Sequence, residues 1–236
     1  MNIGLLIAGG VGQRMGQEIP KQFININDKP VIIYTLEAFQ NHPDIDAIAV
    51  VCLDGWHHVL DVYAKQFNIT KLKYIVSGGE NGQGSIRNGV YELEKHFDSD
   101  DIVLIHDAIR PMVSEEIISD CIRVTKEKGN AITVIPCAEA MLVSESQTDS
   151  TEIYNRDYLK RTQTPQAFYI KDICDLHREA IEKGILNSVA SCTLMVELGK
   201  EVYFSKGSEK NVKLTTVEDL DIFKALLTLK RSEWLR

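Results

Sequence analysis

Short apolar runs rich in Ile and Val alternate along the chain with longer stretches whose apolar positions recur at helical spacing. This is how buried parallel strands and their crossover helices read. Strands are predicted over Ile3 to Ala8, Ile45 to Cys52, Leu72 to Val76, Ile102 to Ile105 and Ala131 to Ile135. Helices are predicted from about Pro30 to Gln40, from Trp56 to Phe67, over a segment ending near His96, and from Glu115 to Glu127. In the first of these Ile33, Leu36 and Phe39 share a face, and Pro30 takes a tolerated first-turn position. The pattern breaks from Cys137 to Arg161, where the polar run SESQTDSTE separates Met141-Leu142-Val143 from Ile153-Tyr154, a composition that reads as a projecting hairpin rather than a linker. Two more helices follow, then strand Val202 to Ser205, a strand-like alternating segment Asn211 to Thr215, and a closing helix from Val217. The predicted fold class is α/β, a Rossmann-like, predominantly parallel sheet flanked by helices with a projecting β-arm.

Composition narrows the picture. With 236 residues, 44% of them hydrophobic, the chain supports one sizeable core, so residues 1–236 are read as a single domain with 137–161 as an arm within it. A net charge of -8 lacks the basic footprint that sequence-independent nucleic-acid binding requires. An anionic ligand must then meet a local cluster of cations. The five cysteines form no CxxC pair, which points to buried thiols rather than a zinc or redox site. The N-terminal apolar run is too short for a signal peptide, and no run approaches the roughly 18 residues of a membrane span. A cytoplasmic protein without a membrane partner is expected.

Candidate chemistry starts directly after the first strand, at Ala8-Gly9-Gly10-Val11-Gly12-Gln13-Arg14-Met15-Gly16. An open parallel sheet places ligands beyond its strand ends, and glycines let backbone N–H groups approach phosphate oxygens. The dinucleotide fingerprint fails at Met15, and the P-loop fails for want of a Gly-Lys-Ser/Thr ending. What remains is a glycine loop followed by Arg14 and Lys21, which suits a triphosphate, because transfer at phosphorus needs cations where charge builds. A purely structural tight turn is the alternative, and Pro20 before Lys21 favours the phosphate reading by restricting the backbone there. A second glycine loop, Gly78-Gly79-Glu80 to Ser85, also follows a strand. Asp107 caps a buried strand beside the predicted crevice; on the residues alone it either faces the ligand or N-caps the next helix, with Arg110 paired to a surface carboxylate. His57-His58 lack a third ligand, and Asp98-Ser99-Asp100-Asp101 precedes its strand, so neither is read as a metal site.

AGGVGQRMG followed by PKQF resembles the opening signature of the cytidylyltransferases that activate methylerythritol phosphate or ribitol phosphate. GGENGQGSI, HDAIRP, NRDYLKRTQTPQAF and NVKLTTVEDL extend the resemblance, in order, through the whole chain. The resemblance implies a nucleotidyltransferase fold, CTP and a polyol phosphate as substrates, magnesium as cofactor, and a homodimer joined through the arm. It implies nucleotide contacts at Ala8, Gly9, Gly10, Gly12, Gly79, Ser85 and Asp107, with Asp107 also near the metal. Arg110, Arg156, Thr164 and Lys213 are implied to hold the acceptor, Arg156 and Thr164 serving the partner's site. The acceptor's phosphate oxygen would attack the α-phosphorus of CTP in line, with Arg14, Lys21, Lys213 and magnesium neutralising charge and no general base.

Departures from the family pattern fall at Gly82, where an arginine is usual, at Glu139-Ala140 in place of Asp-Thr, and at Asn187-Ser188 in place of Thr-Asp. Gly9-Gly10, Gly16, Trp56 and Thr215-Thr216-Val217 with Asp219 resemble the ribitol-5-phosphate branch, while the changed pairs leave the acceptor open. A methylerythritol-phosphate enzyme is the alternative. From other classes, an oxidoreductase lacks its third glycine, a glycosyltransferase has its DxD at the wrong strand end, and a non-catalytic nucleotide-binding protein stays open.

Overall fold

The computed structural model describes residues 1–10 and 19–232, with side chains through 228. Eleven strands and seven helices are described. Strands β1 (Asn2–Ala8), β4 (Ala47–Cys52), β5 (Leu72–Ser77), β6 (Ile102–Asp107), β7 (Asn130–Pro136), β10 (Lys160–Tyr169) and β11 (Phe204–Lys206) form one sheet in the order β11-β7-β10-β6-β1-β4-β5. All neighbours are parallel except β10, which runs antiparallel between β6 and β7. The chain leaves β1 for β4 on one side and β6 lies on the other, so the sheet order reverses at β1. Beyond the carboxyl ends of β1 and β6 lies the crevice where such sheets bind ligands.

Alternation along the strands divides the core into two layers. Leu6 and Ala8 of β1 pack with α1 (Val31–Asn41), α2 (His57–Gln66) and α4 (Glu115–Lys128). Ile3 and Leu5 pack with α3 (Gly82–Glu94), α5 (Ile170–Glu182) and α6 (Ser191–Glu197) on the opposite face. Gly89 lets α3 lie close to the sheet, because a Cβ there would stand 2.7 Å from Val51. A third cluster joins Leu220 and Phe223 of α7 (Val217–Ser232) to Ile109, Met112 and Leu214, anchoring the segment that carries Lys213.

Several expectations need correction. Strand β10 was not anticipated: its Thr162-Gln163-Thr164-Pro165-Gln166 stretch has no apolar run, yet the strand lies inside the sheet. Asn211 to Thr215 is irregular rather than a strand, since buried Asn211 is engaged by side-chain bonds to β10 instead of a ladder. A small hairpin of β2 (Asn25–Ile26) and β3 (Lys29–Pro30) was also missed; its turn residues Asn27 and Asp28 have φ of 50° and 62°, a left-handed conformation that Asn and Asp tolerate. The expected strand Val202 to Ser205 is observed as Phe204–Lys206. The arm is a hairpin of β8 (Met141–Val143) and β9 (Glu152–Tyr154), with all six strand residues exposed.

Candidate active site

A cleft of about 610 Å³ opens at the carboxyl ends of β1 and β6. Ala8, Gly9 and Gly10 form part of its wall. Gln22, almost wholly buried, holds this loop by donating Nε2 to the carbonyls of Ala8 at 2.7 Å and Gly10 at 3.1 Å. The same 3-10 turn, Lys21–Phe23, carries Lys21 into the cleft lining, and Phe23 stacks on Trp56 with ring centroids 4.6 Å apart. Gly12 and Arg14, predicted for this loop, lie outside the described residues.

The second glycine loop is closed by Ser85, whose Oγ accepts from the Gly79 N–H at 3.0 Å. Only glycine fits at 79, since a Cβ would stand 2.4 Å from the Gly84 backbone. Ser85 also lies against Gly9, where an added Cβ would approach its Oγ to 3.3 Å. The two glycine loops therefore share one wall. Gly82 lines the cleft, and a Cβ there meets nothing within 4 Å.

Charge gathers at the end of β6. Asp107 closes the strand, and α4 is instead N-capped by Ser114, which removes the capping alternative for Asp107. Its Oδ2 accepts from Arg110 Nε at 2.9 Å, and its Oδ1 accepts from Lys213 Nζ at 3.0 Å. Burial raises the Asp107 carboxyl, but the Lys213 and Arg110 charges and their hydrogen bonds outweigh it and hold the group below its ordinary value. Arg110 is fixed further by donating Nη1 to the Asn211 carbonyl at 2.7 Å. Lys21, Arg110 and Lys213 thus line one cleft of a protein with a net charge of -8.

Thr164, expected at a partner's site, lines the cleft of its own chain, and its Oγ1 accepts from the Asp107 N–H at 3.0 Å. The cause is the antiparallel course of β10 beside β6, with a register irregularity between Thr162 and Gln166 that turns this stretch toward the strand end. Asn211 secures the same stretch, donating Nδ2 to the Thr164 carbonyl at 2.9 Å. Arg156 is absent from the described lining of the cleft; it lies in the arm and donates to the Ala138 carbonyl. Ser188, from a pair that departs from the family pattern, is buried with its hydroxyl 2.8 Å from Thr193 Oγ1, whereas Asn187 is exposed.

Gln22, Gln83, Gln163 and Asn211 are the structural residues that sequence reasoning missed. Each is buried and donates to a backbone carbonyl in or beside the cleft, Gln22 to Ala8, Gln83 to Ile185, Gln163 to Ser208 and Asn211 to Thr164. Among the described residues no group of three or more His, Cys, Asp or Glu could hold a metal ion, and no helix is long and apolar enough to cross a membrane.

Two buried histidines give the fold a pH dependence. Burial depresses His106 and His177 from the ordinary 6.5 to about 4. The unfolded chain therefore takes up protons that the folded chain refuses between these values. Stability is full above pH 6.5 and falls as pH drops toward 4, by about 3 kcal/mol for each histidine. Replacing His177 with Leu should shrink the loss of melting temperature between pH 7 and pH 5; an unchanged loss would contradict this origin.

The family model described as "IspD: 2-C-methyl-D-erythritol 4-phosphate cytidylyltransferase" matches residues 3–229. A ribitol-5-phosphate cytidylyltransferase of Lacticaseibacillus paracasei is 46% identical over 98% of this chain and 99% of its own. A 2-C-methyl-D-erythritol 4-phosphate cytidylyltransferase of Clostridium botulinum is 34% identical over 96% of this chain and 97% of its own. The solved 4-diphosphocytidyl-2C-methyl-D-erythritol synthase of Anaerococcus prevotii superposes with a TM-score of 0.81 over 96% of both chains at 24% identity, a likeness of fold.

Proposed function

Because the chain belongs to the 2-C-methyl-D-erythritol 4-phosphate cytidylyltransferase (IspD) family, we propose that it transfers a cytidylyl group from CTP to ribitol 5-phosphate, giving CDP-ribitol and pyrophosphate. The enzyme class, cytidylyltransferase, follows from family membership and from relatives matched over nearly their full length. For the mechanism, the carrying observation is the convergence of Lys21, Arg110 and Lys213 on the cleft whose walls are the two glycine loops. For the acceptor, support comes from the 46% identity to a ribitol-5-phosphate enzyme against 34% to a methylerythritol-phosphate one.

An acceptor phosphate oxygen is anionic near neutral pH. It forms the new bond to the α-phosphorus of CTP as the bond to the departing pyrophosphate breaks, and no proton must be removed. The work of the protein is orientation and charge neutralisation. In this reading Lys21 and Lys213 stabilise charge on the transferring and departing phosphates, Arg110 orients the acceptor end, and Gly9, Gly10, Gly79 and Ser85 bind the nucleotide. At nucleotide sites magnesium is usually held through substrate phosphates with one or two protein carboxylates. The cleft fits that mode: Asp107 is a half-buried carboxylate in its lining, but both its oxygens already face cations, so the ion would come with the nucleotide. Its contribution would be to screen the triphosphate.

The arm supports a homodimer as part of the proposal. Ile153 is 80% exposed and Leu142 and Tyr158 are also exposed, while a two-stranded hairpin has little stability alone. In a dimer, Arg156 would reach the acceptor of the neighbouring chain. The test of nucleotide choice is pyrophosphate release with ribitol 5-phosphate and magnesium, comparing CTP with UTP. Release with CTP is expected; release with UTP alone would overturn the cytidylyl assignment.

A further inference from the structure

One stretch of the cleft is formed by Val189, Ala190 and Ser191, part of the uncharged loop 185–191 that follows α5 and runs into the first residue of α6. Its backbone is fixed from outside. Gln83, in the first turn of α3 and almost wholly buried, donates Nε2 to the Ile185 carbonyl at 2.7 Å, and its Oε1 accepts from the Ser188 N–H at 2.7 Å. Asn81 donates to the Leu186 carbonyl at 3.0 Å. At the far end, the Cys192 N–H donates at 3.0 Å to Oε1 of Gln166, two residues from the Thr164 that touches Asp107. The loop thus runs from the second glycine loop to the charged corner. Val189 lines the cleft while 92% exposed, an apolar side chain that a bound ligand would cover.

A wall without charge does not suit phosphate, which the cations elsewhere in the cleft attract; it suits the uncharged, hydroxyl-bearing part of a substrate. We propose that Gln83 is a positioning residue for the acceptor, holding loop 185–191 at the distance where Val189 to Ser191 close on the polyol chain. Gln83 touches no reacting atom. It acts through the two backbone groups it binds, so its loss loosens acceptor binding and leaves the phosphate chemistry in place.

This inference rests on the acceptor reading above, which wild-type turnover with ribitol 5-phosphate tests separately. Gln83→Ala removes both hydrogen bonds, and Gln83→Met removes them while keeping the buried volume. Both are expected to raise the KM for the acceptor about tenfold, with the KM for CTP and kcat nearly unchanged. Amide hydrogen exchange at Ser188 should speed up in both variants. An equal rise in the KM for CTP, a loss confined to kcat, or an unchanged acceptor KM with Ser188 deprotected would each overturn the proposal.

Discussion

Replacing Lys213 with Ala is expected to lower kcat/KM about 100- to 1,000-fold, the effect typical of removing a group that stabilises transition-state charge. The fold should survive. The Lys213 side chain is 43% exposed, and its visible bond is one ion pair to Asp107 Oδ1 at 3.0 Å. Pairs of that exposure contribute at most about 1 kcal/mol. The neighbouring Leu214 stays anchored in the cluster with Phe223, so the backbone that carries residue 213 has its own support. Steady-state kinetics beside a thermal melt separate the two effects. A rate near that of the parent enzyme would mean that the phosphates bind elsewhere in the cleft.

Asp107→Asn is expected to cost about 100-fold in kcat/KM for a different reason. The carboxylate orients two cations at once, Arg110 through Oδ2 and Lys213 through Oδ1. Asparagine has the same shape but offers one acceptor oxygen and no charge, so one cation loses its anchor and both lose their attraction. Small displacements at a reacting centre are costly in rate. If Asp107 also touches the nucleotide's magnesium, the magnesium concentration for half-maximal rate should rise in the same variant. Full activity in Asp107→Asn would exclude both roles.

The sequence exposed those parts of the site that carry strong local signals. Gly9 and Gly10 follow an apolar strand directly, and Asp107 ends one, so a parallel sheet brings them to one edge without further information. Thr164 was legible as a candidate substrate residue, but its place beside Asp107 in the cleft of its own chain was not, because strand β10 gives no apolar run and contains Pro165. A polar strand buried inside a sheet cannot be told from a surface segment by periodicity. The same limit hid Gln22 and Gln83. A glutamine looks like a surface residue until its partners are known, and here those partners are backbone carbonyls and N–H groups far along the chain or across a glycine loop. Lys213 was found only through its motif, since the segment is irregular and a single lysine carries no pattern of its own. The Asn187-Ser188 departure also gained a physical account: Ser188 turns inward to Thr193 and Gln83.

Acceptor choice is tested most directly by comparing kcat/KM for ribitol 5-phosphate and 2-C-methyl-D-erythritol 4-phosphate, with CTP and magnesium held constant and pyrophosphate release as the readout. A clear preference for ribitol 5-phosphate is expected. Preference for the methylerythritol phosphate, or no release with either, would contradict the proposed function.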